Sequence, residues 1–132
     1  MFQVVAYNKK ESANVQLSKS FKVGEFACND GSNVVLVDPL LVWVLQNVRD
    51  HFGKPVHITS GYRTVSYNAK VGGSSSDSMH TYGMAADFVV DGVKASEVQK
   101  YLETVMPGTG GIGKADTYTH VDTRAVKSRW TY

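Results

Sequence analysis

A single cysteine, Cys28, is all the thiol that this chain of 132 residues holds, so neither an internal disulfide nor a paired-thiolate metal site is open to it. A free cysteine of that kind is expected in or near the core as a small apolar side chain. Basic runs are missing too. Lys and Arg number 14 against 12 Asp and Glu, a formal charge of +2, and no stretch of cations could neutralise a series of phosphates. Nucleic acid is therefore not an expected partner. No segment approaches the ~20 apolar residues of a membrane span, and Met1 to Lys10 has no basic region followed by an apolar run. Neither a span nor a secretion signal is read in this chain. Internal repeats are absent, and the one short flexible-looking tract is Gly72-Gly73-Ser74-Ser75-Ser76.

What is present is 42% hydrophobic residues, enough for one core in a chain too short for two, so residues 1–132 are read as a single domain and a monomer. Asp38 and Pro39 form an acidic cap and a first-turn proline. Leu41, Val44, Leu45, Val48 and Phe52 follow at helical spacing, and Gly53 closes the helix. After Pro55, Val56 to Thr59 alternates as a strand does and stops at Ser60-Gly61. A short helix is expected over Thr64 to Lys70, and a buried strand over Met84 to Val90. Val98, Tyr101, Leu102 and Val105 mark a second long helix, which Met106-Pro107-Gly108 closes. Gly110 to Gly113 and Thr117 to Asp122 read as two strands joined near Lys114-Ala115-Asp116. Helices and strands mix without regular alternation, which points to an α+β fold with a small, mostly antiparallel sheet flanked by helices.

Three segments carry chemistry: Ser60 to Arg63, Ser78 to Asp87, and Tyr118 to Asp122. In the middle one a loop histidine, His80, is followed by Gly83, which lets the backbone turn, and by Asp87 inside an apolar strand. A carboxylate buried there without a partner is strongly disfavoured, and a metal ion would resolve the cost. His120 lies in a strand whose alternate residues Tyr118, His120 and Asp122 share one face. Two imidazoles and one carboxylate leave a fourth tetrahedral position open, the pattern of a catalytic zinc site. The plain alternative has His80 as a solvated loop residue, Asp87 as partner of a buried arginine such as Arg63, and His120 as a hydrogen-bonded strand residue.

Ser78-x-His80-x-x-Gly83-x-x-x-Asp87 resembles the signature of the zinc D-alanyl-D-alanine carboxypeptidases, a family that includes vancomycin-resistance dipeptidases and phage endolysins. The likeness extends to Leu17 to Phe21, Glu25 to Cys28, Ser60 to Arg63 with Asn68, Gly110 to Gly113, and His120 to Asp122 with Arg129-Trp130, and is greatest to the small phage-type branch. The resemblance implies the hedgehog and lysostaphin-type zinc fold, with one zinc ion held by His80, Asp87 and His120. It also implies hydrolysis of peptidoglycan stem peptides next to D-alanine, by a carboxypeptidase or an endolysin-type endopeptidase. In that class the metal activates water and polarises the carbonyl, while a neighbouring carboxylate or histidine takes the proton.

The pattern departs from the family in one place. The vancomycin-resistance dipeptidases carry a glutamate three residues before the last histidine, where this chain has Thr117. Asp122, about 7 Å from His120 along a strand, is the expected base ahead of Asp116 at about 13 Å. Its alternative roles are to orient His120 or to pair with Arg124. Arg63 resembles the family arginine that steadies the substrate carbonyl or carboxylate, or else forms a structural salt bridge. Ser78 resembles a substrate-contacting position, or shapes its turn, and Tyr118 is a candidate donor to the oxyanion, or packing. His57 is read as structural or at the rim, and Trp130 and Tyr132 as capping the core, with a sugar-stacking surface as the alternative. A cell-wall substrate lies outside the cytoplasm, so phage lysis or a trimmed signal would have to bring the protein to it. The rival function is a non-catalytic domain that binds cell-wall peptides.

Overall fold

The computed structural model describes residues 3–72 and 74–132. The chain opens with β1 (Val5–Asn8) and a single turn of helix, α1 (Lys9–Ser12), followed by a 3-10 turn at Val23–Phe26. β2 (Val34–Val37) then pairs antiparallel with β1 in a two-stranded sheet. Next comes α2 (Pro39–Phe52), with Pro39 in its first turn. The Asp38 carboxylate accepts from the Leu40 amide at 2.9 Å, and Gly53 ends the helix in the left-handed conformation at φ 64°. Both ends thus match the signals in the sequence.

The remaining strands build the main sheet. β3 (Val56–Ser60) leads through Gly61 to Arg63 into α3 (Val65–Lys70), capped by the Thr64 hydroxyl, and a 3-10 turn at Met79–Tyr82 precedes β4 (Ala85–Val90). α4 (Ala95–Val105), β5 (Gly111–Lys114), β6 (Thr119–Asp122) and β7 (Ser128–Thr131) follow. The spatial order is β3-β4-β6-β5-β7, with every pairing antiparallel except β5 with β7. The expected α+β class and mostly antiparallel sheet are therefore observed. β1, β2 and β7 had no counterpart in the sequence reading.

Alternation along the strands divides the sheet into two faces. Ala86, Phe88, Val90, Ile112 and Val121 point to one side and pack with Leu41, Leu45 and Val48 of α2 and Val98 and Leu102 of α4. Phe88, buried entirely, contributes about 1.5–3 kcal/mol of transfer free energy. The opposite face carries polar side chains in register: Ser60, Asp87, His120, Gly113 and Trp130 form one row across all five strands. Cys28 is buried, as a free cysteine is expected to be. His57 pairs on the surface with Asp91 at 2.8 Å and takes no part in the row.

Candidate metal centre and cleft

Asp87 and His120 are cross-strand partners, which brings Asp87 Oδ1 to 3.0 Å from His120 Nδ1. His80 arrives from the 3-10 turn, its Nε2 3.3 Å from the same oxygen. Gly83 makes that approach feasible, because its φ is 73° and a Cβ there would lie 2.5 Å from the Leu36 carbonyl oxygen. One ligand atom from each of the three residues lies within 4.8 Å of the others, so His80, Asp87 and His120 can hold a metal ion.

Hydrogen bonds on the far side of each ring test that fit. A carbonyl oxygen only accepts, so His80 Nδ1 carries a proton and donates it to Gly61 at 2.7 Å, leaving a lone pair on Nε2. His120 donates from Nε2 to Asp122 Oδ2 at 2.8 Å, which frees Nδ1 in the same way once that nitrogen is unprotonated. Two imidazole lone pairs and a carboxylate oxygen then converge on one point, where only a cation relieves their repulsion. Burial opposes charge on His120, but hydrogen bonds to Asp122 and Asp87 outweigh it and raise its pKa above the ordinary imidazole value. Burial likewise raises Asp87, yet hydrogen bonds from His120 and His80 hold the carboxyl well below the usual carboxylate range.

The group opens into a cleft of about 490 Å³. Arg63 and Ser78 border it on the side of β3 and the 3-10 turn, and Tyr118, Arg124, Trp130 and Tyr132 also line it. Arg63 is almost buried and donates to Ser60 at 3.0 Å, Asn68 at 3.2 Å and Asp87 Oδ2 at 3.3 Å. It therefore forms the salt bridge and borders the cleft at once. Ser78 Oγ accepts the His80 amide at 3.3 Å, capping the turn while facing the same space. Burial raises the Tyr118 hydroxyl, with Tyr132 and Asp87 adding to the effect, so it remains a proton donor at neutral pH.

Asp122, the expected base, stands away from the cleft. It is fully buried behind the His120 ring and does not line the cleft, and its oxygens meet His120 Nε2 and the Arg124 side chain at 2.7 and 2.8 Å. Sharing a strand face with His120 brought it to the imidazole, but to the nitrogen that points away from Asp87. Asp116, the second choice, is exposed in the β5–β6 turn and also lies outside the cleft lining. Trp130 does not cap the core. Its ring stands 5.0 Å from that of His120 in the cleft wall, and Tyr132 beside it is largely exposed.

Several contributors were missed in the sequence. Gly111 leaves space for the Asp122 carboxylate, and Gly113 for Trp130, whose ring would lie 2.7 Å from an added Cβ. The Gly110 to Gly113 motif was the visible sign of both. Asn68, quoted only as part of a likeness, is buried and joins Arg63 to the Ser75 carbonyl at 2.8 Å.

A chain with this sheet, this cluster and this cleft is a metallopeptidase-like α+β domain, and comparison with known proteins gives its family. The profile of peptidase family M15 matches residues 19–122, and the chain belongs to that family. It is 32% identical to the peptidoglycan L,D-endopeptidase MepK of Escherichia coli K12 over 93 residues, 66% of this chain and 51% of that protein. It is 34% identical to the zinc D-Ala-D-Ala carboxypeptidase of Streptomyces albus G over 87 residues, 61% of this chain and 32% of that enzyme. The probable MepK of Haemophilus influenzae is 29% identical over 99 residues, 70% of this chain and 53% of the relative. The chain thus spans about half the length, or less, of the curated relatives it matches. No helix among the described residues is long and apolar enough to cross a membrane.

Proposed function

We propose that this protein is a zinc-dependent peptidase that hydrolyses peptidoglycan stem peptides next to a D-amino acid, with His80, Asp87 and His120 as the metal ligands. The observation that carries the reading is the convergence of His80 Nε2, Asp87 Oδ1 and His120 Nδ1 at the floor of an open cleft. Membership of a peptidase family with peptidoglycan-cleaving relatives supports the substrate class. Zinc bound there supplies Lewis acidity toward the scissile carbonyl and a more acidic water.

The chain's own residues would then divide the remaining work. Arg63, fixed by Ser60 and Asn68, steadies Asp87 and borders the cleft with donors to spare. The Tyr118 hydroxyl is a donor for charge developing on the carbonyl oxygen. Ser78 contacts substrate at the lip of the turn. Asp122 orients His120 and takes no proton from water. Asp77 is the cleft-lining carboxylate that forms no ion pair among the described residues, and it is our candidate for the proton acceptor. The cut is either the release of a terminal D-alanine or an internal cleavage of endolysin type, and the same residues serve both.

The test is to incubate D-alanyl-D-alanine peptides and cross-linked stem peptides with zinc-loaded protein, chelated protein and the variants Asp77→Asn and His80→Ala. Cleavage by the loaded form alone is expected, with His80→Ala zinc-poor and inactive. Asp77→Asn should bind zinc normally but lose about 10²–10⁴-fold in turnover. A zinc-loaded protein that cuts neither substrate would overturn the enzymatic reading and favour peptide binding alone.

A further inference from the structure

Arg124 was not a candidate in its own right in the sequence, and the reaction as described does not use it. It follows β6 by two residues. Its Nε and Nη2 form a two-pronged pair with Asp122 at 2.8 and 2.7 Å, and its guanidinium lies 5.2 Å from the Trp130 ring centroid. That pairing consumes one edge of the guanidinium. The Nη1 edge has no partner among the described residues, although Arg124 lines the cleft and its side chain is 31% exposed. A planar guanidinium fixed on one edge by a buried carboxylate and on one face by an indole has lost most of its rotamer freedom, so a carboxylate that docks on the free edge meets a preorganised fork.

Its position gives that edge a purpose. The row across the sheet runs from Ser60 beside Arg63, through Asp87 and His120, to Trp130 beside Arg124. A peptide laid across the strands with its scissile carbonyl over the ligand atoms therefore extends toward a different arginine at each end. Arg63 directs one nitrogen into Asp87 itself, whereas Arg124 pairs with Asp122 and makes no hydrogen bond to Asp87, which leaves its Nη1 edge to read substrate. The only cations that line the cleft among the described residues are these two arginines and the histidines when protonated.

We propose that Arg124, held by Asp122 and Trp130, is a specificity-determining residue that binds a free carboxylate of the peptide substrate on the β7 side of the scissile bond. The proposal rests on the reading of the cleft as a peptide site. Replacing the right carboxylate by an amide removes a charge-assisted hydrogen bond and should weaken recognition about 10–100-fold.

The experiment uses synthetic stem peptides in which each free carboxylate is converted in turn to a carboxamide. With zinc-loaded protein, one amidated peptide should show the 10–100-fold loss in kcat/KM, mostly as a raised KM. Arg124→Gln should cut both forms of that peptide equally, and Arg124→Lys should restore part of the preference. An unchanged preference in Arg124→Gln at every carboxylate would overturn the proposal, because a merely structural arginine alters all peptides alike. Should Arg124→Gln fail to fold, binding to the otherwise native chain decides. Trp43→Phe removes the other indole, on the exposed side of α2, so that fluorescence in chelated protein reports Trp130 beside Arg124. Quenching by the carboxylate peptide and not by its amide supports the proposal, and equal response or none refutes it. Cleavage without carboxylate preference would remove Arg124 and keep the peptidase, while carboxylate-dependent quenching without cleavage would do the reverse.

Discussion

Asp122 and Arg63 each hold a candidate metal ligand from outside the cluster, and in opposite senses. Arg63 approaches Asp87 on the oxygen that does not face the histidines, and Asp122 approaches His120 on the nitrogen that does not face Asp87. Asp122 is held ionised: burial raises it, but hydrogen bonds from His120 and Arg124 bring it well below the usual carboxylate range. It therefore accepts a hydrogen bond from His120 Nε2 and leaves Nδ1 available to a metal ion. Asp122→Asn should lower zinc affinity roughly 10–100-fold, read by competition with a chromophoric chelator, and turnover at saturating zinc should recover in large part. Unchanged zinc affinity with turnover abolished would instead return the role of base to Asp122.

β5 separates what the sequence discloses from what it conceals. Its glycines are small for the sake of neighbours on other strands, Gly111 for Asp122 and Gly113 for Trp130. Gly113→Ala should overpack the Trp130 ring at a cost of about 1–3 kcal/mol, visible as a lower melting temperature, while Gly108→Ala, in open space, should stay within about 0.5 kcal/mol. Equal melting points would show that the strand spacing adjusts freely. α2 was readable residue by residue because Asp38, Pro39 and Gly53 are local signals for its two ends. β4 and β6 were readable because an apolar run and a period of two are local as well. β7 was not, since Ser128 to Thr131 has little apolar alternation and gains its place through a parallel partner more than ten residues earlier. Trp130 was misplaced for the same reason. An aromatic near the end of the sequence reads as core until its strand is known to put it opposite Gly113. For Asp122, periodicity gave the face it shares with His120 but not which imidazole nitrogen it would meet.

The molecule as a whole is two-layered, with α2 and α4 behind the sheet and the polar row on its other face, toward the cleft, so the cleft can be furnished without disturbing the core. Its three candidate ligands come from one turn and two strands, all of which must be in place before an ion can bind. Zinc should therefore stabilise the folded chain by about 2.7 kcal/mol at a free concentration 100 times the dissociation constant, and chelation should reverse the gain. Scanning calorimetry with and without chelator measures it, and a melting temperature indifferent to zinc would argue against the cluster. Asp87 and His120 oppose each other in the pairing of β4 with β6. If these strands slipped by one residue, one of the two would turn toward the helices, and the chain would lose its grip on the ion. A misaligned sheet thus forgoes the stabilisation that a correctly aligned one receives. An ion bound at His80, Asp87 and His120 would thus act as a check on strand alignment, favouring the copies in which β4 and β6 are paired in register.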